Sequence, residues 1–307
     1  EGLYFEASMT TPFHFLNQAL LSANPSRAMR NMPYQGRFQP SEAAKFLLVL
    51  LLARLLTNRS NEIGDWRKAL APALTIFGAF AVLVMLEPDM DTTIVCALVL
   101  GSMLVAAGIP ARQIARLAGG GLAVAAVLAV AAPYRRARVL SFLDPWKDRT
   151  NRGWQLVQSQ IAIGTGGWTG VGLGASRSKW SFLPNAHTDF IFAIIAEELG
   201  LIGALCVLAL IVMIAVLGMR AAFRAPDRAG LLIAVGITTW FVGQALINIG
   251  AVVGLIPVSG ITLPFVSFGG SSLLFTMVAA GVLANIARLG APAPLPRGRA
   301  SLRPVRS

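Results

Sequence analysis

Two ionisable side chains of opposite sign stand at the start of an otherwise apolar segment, about 41–57. Glu42 and Lys45 are three residues apart, a spacing that brings two side chains together on one face of a helix. If the segment crosses a membrane, each charge is costly to insert and should face protein or a wet cavity. The pair is therefore either a structural ion pair that eases insertion or part of a cavity that positions an anionic headgroup.

A second group of ionisable residues surrounds the start of another apolar run. Asp189 follows His187 and Thr188, and as a helix N-cap its carboxylate would satisfy unpaired backbone donors. Glu197 lies two turns further along the same helix face, whereas Glu198 points roughly 100° away. Three carboxylates at one helix mouth are more than capping needs, so one of them is a candidate general base for a substrate hydroxyl.

The segment 134–188 is basic and rich in glycine. It carries eight Lys or Arg residues against Asp144 and Asp148, a balance that a phosphate-bearing ligand would explain. Its GTGGWTGVGLG string permits tight turns and close backbone approach. No strand precedes the string, so it is not a dinucleotide-binding fingerprint. The alternative is a glycine-rich loop that packs on helix ends.

The composition argues against a soluble protein. The 307 residues are 55% hydrophobic and 13% charged, about half the ~25% charge of soluble domains, and the mean hydropathy is +0.67. The net charge of +12 calls for anionic surroundings. Cys96 and Cys206 lie inside apolar runs, so neither a disulfide framework nor a zinc site is expected.

Apolar runs near the ~20 residues of a membrane span recur along the chain. The charge-free stretch 229–287 divides into two spans at a middle rich in Pro and Gly. The predicted spans lie at 41–57, 69–86, 92–111, 117–134, 199–219, 229–254 and 267–288. The fold class predicted from this pattern is an all-α polytopic membrane protein with about seven transmembrane helices.

The Lys and Arg residues of the short loops predict the orientation of these spans. The basic loops 54–68, 110–116 and 219–228 are expected in the cytoplasm with the basic tail 291–307, and the loops 87–91, 255–266 and about 134–188 are expected outside. This topology starts outside without a signal peptide. We therefore expect further transmembrane sequence upstream, and treat 1–37 as an atypical segment before a transmembrane domain at 38–290.

Irregular backbone is also predicted at membrane depth, in the Pro- and Gly-rich stretch 254–270. Such backbone is tolerated where it is buried in protein or lines a cavity. The residues alone thus indicate a multi-span protein with an outward, basic cavity that contains carboxylates. They leave enzyme and transporter equally open.

Five motifs in order resemble the SEDS family (shape, elongation, division and sporulation). They are FQPSEAAK at 38–45, LEPDMDTT at 86–93, YRRARVLSFLDPW at 134–146, LPNAHTDFIFAIIAEELGLIG at 183–203 and GLIPVSGITLPFVSFGGSS at 254–272. The YRRARVLSFLDPWKD and GWQLVQSQIAIGTGG strings favour the division members, FtsW, over the elongation members, RodA. Asp91 stands where the family usually has Gly, and NMPYQG stands where it usually has an Arg-Trp motif. The resemblance implies ten spans with both ends cytoplasmic, so we expect this chain to lack the first three.

The resemblance implies a peptidoglycan glycosyltransferase that polymerises lipid II into glycan strands during septal wall synthesis. The growing glycan would move from its undecaprenyl diphosphate anchor to the 4-hydroxyl of the incoming lipid II sugar. Asp189 matches the essential acidic position and is assigned the base role, while Glu42 and Lys45 match the polar pair of the same catalytic cavity. Substrate-binding roles are expected for Arg135, Arg136 and Arg138, as diphosphate contacts, and for His187, Glu197, Glu198 and Ser271.

The same resemblance implies a multi-pass protein of the bacterial inner membrane, at the septum, with a class B penicillin-binding transpeptidase and other divisome membrane proteins as partners and no nucleic acid. No ligand cluster demands a metal, although a divalent cation such as Mg²⁺ or Mn²⁺ could assist the leaving diphosphate. Three alternatives stay open. They are a lipid II flippase, since a lipid transporter also needs a wet charged cavity, a RodA-type polymerase of cell elongation, and a scaffold for the transpeptidase.

Overall fold

The computed structural model describes residues 39–87, 89–131, 136, 141–142, 144–147, 153–178 and 187–290. Eight longer helices make up this part of the chain: α1 Pro40–Asn58, α2 Ala71–Leu86, α3 Met90–Ala107, α4 Ala111–Ala131, α5 Trp154–Gly166, α6 Ile191–Phe223, α7 Arg228–Val253 and α8 Gly270–Leu289. A 3₁₀ turn covers Ser60–Glu62, and a π-helical turn, Trp66–Leu70, leads directly into α2. The prediction of an all-α fold is confirmed. The segments 1–37 and 291–307 lie outside the described residues.

Seven of these helices occupy the seven predicted spans. Five are long and apolar enough to cross a membrane: Trp66–Leu86, Met90–Ala107, Ile191–Phe223, Arg228–Val253 and Gly270–Leu289. The other two are α1, which carries Glu42, Lys45 and Arg54, and α4, which spans 21 residues. Five of the predicted spans are thus confirmed as helices of membrane-spanning length and hydropathy, and 41–57 and 117–134 are confirmed as helical and stay predictions as spans.

Local sequence signals set the ends of the inner helices. The Asp89 carboxylate accepts from the backbone N–H of Thr92 at the start of α3, and Asp227 does the same for Gly230 at the start of α7. Such caps satisfy donors that have no partner within the helix. At the other end, α3 and α7 stop at Gly108 and Gly254, which adopt left-handed backbone that glycine accepts without strain.

Helix α7 is the centre of the bundle and packs against α1, α3, α5, α6 and α8. In its most apolar 18-residue window 61% of residues are buried, against 11% in α6. Because α6 is the more hydropathic of the two, its exposed apolar side chains are suited to lipid tails rather than water. The bundle thus has a protein-packed centre and a lipid-facing periphery.

Hydrogen bonds join loops that are predicted to lie on the same side of the membrane. At the predicted outer end, the Gly260 N–H donates to Asp91 Oδ2 at 2.9 Å, which joins loop 255–266 to the start of α3. At the predicted inner end, Gln113 Nε2 donates to the Gly64 carbonyl at 3.3 Å. Each bond joins loops assigned to the same side of the membrane, as the topology requires. Asp91, which departs from the family pattern, acts as a tether for the outer loop.

Helix α6 is broken at Gly200. This residue has φ 66° and ψ −162°, a conformation that an L side chain rarely adopts. A Cβ at this position would lie 2.4 Å from the Gly170 nitrogen and 2.5 Å from the Trp168 carbonyl oxygen. The break therefore depends on glycine both for its backbone angle and for the close approach of a second segment.

That second segment is the glycine-rich loop, residues 167–174. The Val171 N–H donates to the Glu197 carbonyl at 3.0 Å, and the Leu201 N–H donates to the Gly167 carbonyl at 2.9 Å. The loop thus replaces helical hydrogen bonds that α6 loses at its break. This arrangement agrees with the expectation that the loop packs on a helix end.

Candidate active site at the outer end of the bundle

The predicted ion pair at the start of α1 is formed and buried. Lys45 Nζ donates to Glu42 Oε1 at 2.9 Å and to Gln244 Oε1 at 2.7 Å. Lys45 is 1% exposed and Glu42 is 4% exposed. The ammonium lies 5.2 Å from the centroid of the Trp240 ring, within the range of a cation–π contact. A buried pair is tolerated when further dipoles surround it, and the amide and the indole supply them here.

The pair is closed off within the described residues and does not line an open cavity there. Glu42 Oε2 is buried without a hydrogen-bond partner in this part of the chain, and so is Ser41 Oγ next to it. A carboxylate oxygen left unpaired in the interior is costly. The direct catalytic role of Glu42 and Lys45 stays a prediction, and their burial favours an indirect one.

Three side chains on α7 connect this pair to the rest of the outer end. Trp240, Gln244 and Asn248 are spaced by four residues and so lie on one helix face. Trp240 Nε1 donates to Gln244 Oε1 at 2.8 Å, and Gln244 Nε2 donates to the Thr262 carbonyl at 2.9 Å. Both Gln244 and Asn248 are 1% exposed. We refer to these three residues as the α7 polar stripe.

Sequence reasoning missed the α7 polar stripe. The prediction of two spans in 229–287 depends on the lack of charge there, and uncharged amides do not change a charge count. The signal was present, however, since Gln244 and Asn248 are polar side chains one turn apart in a predicted membrane span. Amides in such a position need internal partners, which identifies them as candidates for a buried network.

Asn248 reaches the residue assigned as the base. Its Nδ2 donates to the Asp189 carbonyl at 2.7 Å and to the Ile261 carbonyl at 2.6 Å. Asp189 belongs to a turn of residues 187–190, the Asp189 turn, which precedes α6. Helix α6 begins at Ile191 with Phe190 as its N-cap residue, so Asp189 lies one residue before the N-cap position that one of its two alternative roles requires.

The Asp189 turn rests on residues 259–268, the outer segment. The Thr188 carbonyl accepts from Ser267 Oγ at 2.5 Å, and the His187 carbonyl accepts from the Phe268 N–H at 3.0 Å. Together with Asn248, these donors hold three consecutive carbonyls of the turn. Asp189 is partly exposed and His187 is exposed, so the turn is fixed through its backbone while these residues reach the outer surface.

Glu197 and Glu198 hold the chain that follows the glycine-rich loop. Glu197 Oε2 accepts from Ser176 Oγ at 2.6 Å, and Glu197 Oε1 accepts from the Arg177 N–H at 3.2 Å. Glu198 Oε1 accepts from the Ser176 N–H at 3.3 Å. Glu197 is only 3% exposed. The substrate-binding role predicted for the two carboxylates stays a prediction, and the structure gives them a loop-holding role that the sequence did not indicate.

Of the remaining predicted substrate contacts, two belong to the described residues and two do not. Ser271 Oγ accepts from the Gln39 N–H at 3.4 Å and so joins the start of α8 to the start of α1. Arg136 is exposed, and its role as a diphosphate contact is a prediction. Arg135 and Arg138 lie outside the described residues.

The described residues offer one arrangement suited to acid–base chemistry. A partly exposed carboxylate stands at the outer end on a turn fixed by backbone hydrogen bonds, and a general base needs this kind of fixed placement. Among the same residues, no three His, Cys, Asp or Glu side chains are grouped as metal ligands. A divalent cation that assists the leaving diphosphate stays a prediction.

A bundle of apolar helices that encloses an ion pair and fixes a carboxylate at one end defines a multi-pass helical membrane protein. Comparison with known families identifies which one. The model of the FtsW/RodA/SpoVE family, described as cell cycle protein, matches residues 32–290. The chain therefore belongs to this family, and the resemblance inferred from the five motifs is confirmed.

Curated relatives agree with this assignment. The chain is 43% identical over 250 residues to stage V sporulation protein E of Bacillus subtilis, covering 81% of this chain and 68% of the relative. It is 42% identical to a probable peptidoglycan glycosyltransferase FtsW of Aliivibrio salmonicida, covering 81% and 63%. It is 44% identical to another of Marinobacter nauticus, again covering 81% and 63%. The chain thus spans about two thirds of the length of these relatives.

Two solved structures share the fold. A chain from a peptidoglycan synthase complex that coordinates polymerization and crosslinking superposes with a TM-score of 0.67 at 30% identity, covering 82% of this chain and 70% of that one. The rod shape determining protein RodA of Thermus thermophilus superposes with a TM-score of 0.56 at 25% identity, covering 82% and 66%.

Proposed function

We propose that this protein is a peptidoglycan glycosyltransferase that polymerises lipid II into glycan strands at the division septum of the bacterial inner membrane. The observation that carries the proposal is the fixed Asp189 turn, because it holds a carboxylate at the predicted outer end, where a lipid-linked sugar is accessible. Relatives named probable peptidoglycan glycosyltransferase FtsW at 42–44% identity support the reaction class.

In the proposed reaction, the 4-hydroxyl oxygen of the incoming lipid II sugar attacks the anomeric carbon of the growing glycan. The bond from that carbon to the undecaprenyl diphosphate breaks, and the diphosphate leaves with the bonding electron pair. The Asp189 carboxylate takes the hydroxyl proton. General-base assistance of this kind contributes typically 10²–10⁴-fold to a rate.

The other predicted residues take supporting roles in this mechanism. Glu42 and Lys45 act indirectly, because both are buried. Lys45 donates to Gln244, which in turn donates to the outer segment. Arg136 contacts the diphosphate, for which a guanidinium offers two parallel donors. Arg135 and Arg138 are proposed to contribute in the same way.

We also propose a class B penicillin-binding transpeptidase as partner, with other divisome membrane proteins around it. Polymerised glycan must be crosslinked, and the superposed chain at a TM-score of 0.67 comes from a complex that coordinates both steps. Scaffolding of the transpeptidase would then accompany polymerisation.

The test is reconstitution of the full-length protein with fluorescent lipid II and a transpeptidase whose active-site serine has been replaced. Glycan chains resolved on a gel are the expected product. A parallel vesicle assay measures movement of the same lipid II between leaflets. Lipid movement without glycan chains would overturn the proposal in favour of a flippase.

A further inference from the structure

We propose that Asn248 is a positioning residue that fixes the Asp189 turn on the outer segment and so sets the placement of the Asp189 carboxylate. This inference rests on the proposed function for its catalytic consequence, although the structural part is independent of any activity. Four observations carry it: the donor pattern of Asn248, its place in the α7 polar stripe, its burial and its unpaired oxygen.

The donor pattern leaves a single orientation for the Asn248 amide. Its Nδ2 faces two carbonyl oxygens, those of Asp189 at 2.7 Å and Ile261 at 2.6 Å. Rotation of the amide by 180° would place Oδ1 against both oxygens, where no hydrogen atom could be shared. The side chain therefore acts as a two-pronged donor that joins the Asp189 turn to the outer segment.

The α7 polar stripe extends this clamp towards the buried ion pair. Gln244 lies one helical turn before Asn248 and donates to the Thr262 carbonyl, so the two amides hold the consecutive carbonyls of Ile261 and Thr262. Gln244 also accepts from Lys45 Nζ. Helix α7 thus presents two adjacent amide donors to one stretch of outer segment, and the Asp189 turn shares the second of them.

The burial and the unpaired oxygen of Asn248 distinguish this residue from an ordinary packing residue. Asn248 is 1% exposed, yet Oδ1 has no hydrogen-bond partner among the described residues. A buried acceptor without a partner lowers stability, so packing alone does not explain an amide at this position. An amide at this position is accounted for by the two carbonyls that it holds.

The consequence for the reaction is a selective loss of rate. A reacting group displaced by about 1 Å can cost roughly 10²-fold in rate, while contacts that bind the substrate elsewhere are unaffected. Loss of the Asn248 donor should therefore lower kcat for glycan polymerisation and leave KM for lipid II unchanged.

The experiment compares wild type, Asn248→Asp and Asn248→Ala with the matched control Asn285→Asp, whose side chain is exposed near the end of α8. All four full-length proteins are placed in nanodiscs, where kcat and KM for lipid II are measured with the partner transpeptidase. Hydrogen exchange is followed in peptides that cover 187–194 and 259–268. If Asn248→Asp does not give a monodisperse protein, Asn248→Ala carries the test.

The expected result is a roughly 10- to 100-fold loss of kcat in the Asn248 variants with KM within about twofold, together with faster exchange in both peptides and no change in Asn285→Asp. Wild-type kcat, a change confined to KM, or unaltered exchange at 187–194 would each overturn the proposal. Absence of polymerisation in wild type would count against the proposed function, and the exchange data would still decide whether Asn248 fixes the turn.

Discussion

Lys45 and Gln244 are 199 residues apart in the chain, yet Lys45 Nζ donates a 2.7 Å hydrogen bond to Gln244 Oε1. The same oxygen accepts from Trp240 Nε1 at 2.8 Å, so both of its lone pairs are used. Gln244 thereby ties the buried charge of α1 to the central helix α7. The ion pair is part of a network that reaches the outer segment.

Removal of either member of the ion pair should strongly destabilise the protein. In Glu42→Ala the buried Lys45 ammonium, 1% exposed, loses its carboxylate partner, and in Lys45→Ala the Glu42 carboxylate loses its ammonium. Breaking a buried pair in this way costs about 3–5 kcal/mol. Thermal unfolding monitored by size-exclusion chromatography in detergent should show a large drop in midpoint for both variants.

The double variant Glu42→Leu with Lys45→Met separates structural from functional roles. Apolar side chains of similar size remove both charges and should recover most of the stability. We expect polymerisation to stay low, because the network behind Asp189 is lost. Recovery of wild-type polymerisation along with stability would show that the pair has a structural role alone.

The broken helix gives a second prediction, because Gly200→Ala should prevent correct packing of the glycine-rich loop. The added Cβ would lie 2.4 Å from the backbone nitrogen of Gly170, and backbone at that position cannot move aside without loss of the loop. The matched control is Gly78→Ala in α2, where nothing lies within 4 Å of the new Cβ. That control should be neutral or gain about 0.5–1 kcal/mol from better helix propensity.

The readout for the glycine variants is the yield of monodisperse protein and its unfolding midpoint. Equal behaviour of the two variants would contradict the packing that we describe at the helix break.

The positions of the helices could be predicted because their signal is local. A long run without charge marks an apolar helix whatever surrounds it, and the predicted 69–86 and 229–254 correspond to Ala71–Leu86 and Arg228–Val253. The break at Gly200 could not be placed in this way. It depends on the approach of the glycine-rich loop, a contact between segments about 30 residues apart that hydropathy does not encode.

The candidate site could be predicted only where its signal is local. Glu42 and Lys45 were found because charges stand out in an apolar run, and their pairing follows from helix spacing. Gln244 and Asn248 were missed because uncharged amides do not change a charge count, and their partners, the carbonyls of the outer segment, are set by tertiary packing. The loop-holding roles of Glu197 and Glu198 could not be predicted either, because the backbone donors of Ser176 and Arg177 come from a distant loop.

A third prediction concerns Glu197 as the holder of that loop. Glu197→Ala removes the acceptor for Ser176 Oγ and for the Arg177 N–H, so the exposed Arg177 should become a faster site for trypsin. Mass spectrometry would follow the fragment that begins at Ser178. The matched control Glu87→Ala removes an exposed carboxylate from the end of α2 and should leave this cleavage rate unchanged, and equal rates in both variants would contradict the loop-holding role.

The final prediction tests Asp189 as the base. An isosteric amide cannot accept a proton from a hydroxyl as a carboxylate does, so Asp189→Asn should abolish glycan polymerisation, with a loss of roughly 10²–10⁴ if general-base chemistry is the main effect. The turn should survive, because Asn248, Ser267 and Phe268 hold it through backbone carbonyls that the substitution does not alter. Unfolding midpoint and lipid II binding should therefore stay near those of wild type.

The matched control is Asp227→Asn, at the start of α7 on the predicted cytoplasmic side. The carboxylate of Asp227 caps the helix by accepting from the Gly230 N–H at 2.9 Å, and Asn is as good a cap as Asp, so this variant should keep both stability and polymerisation. The contrast isolates proton transfer from capping, since the two substitutions are chemically identical and differ in the role of the carboxylate. Glycan chains of wild-type length from Asp189→Asn would eliminate Asp189 as the base, whereas equal loss in both variants would indicate damage to the fold rather than to the chemistry.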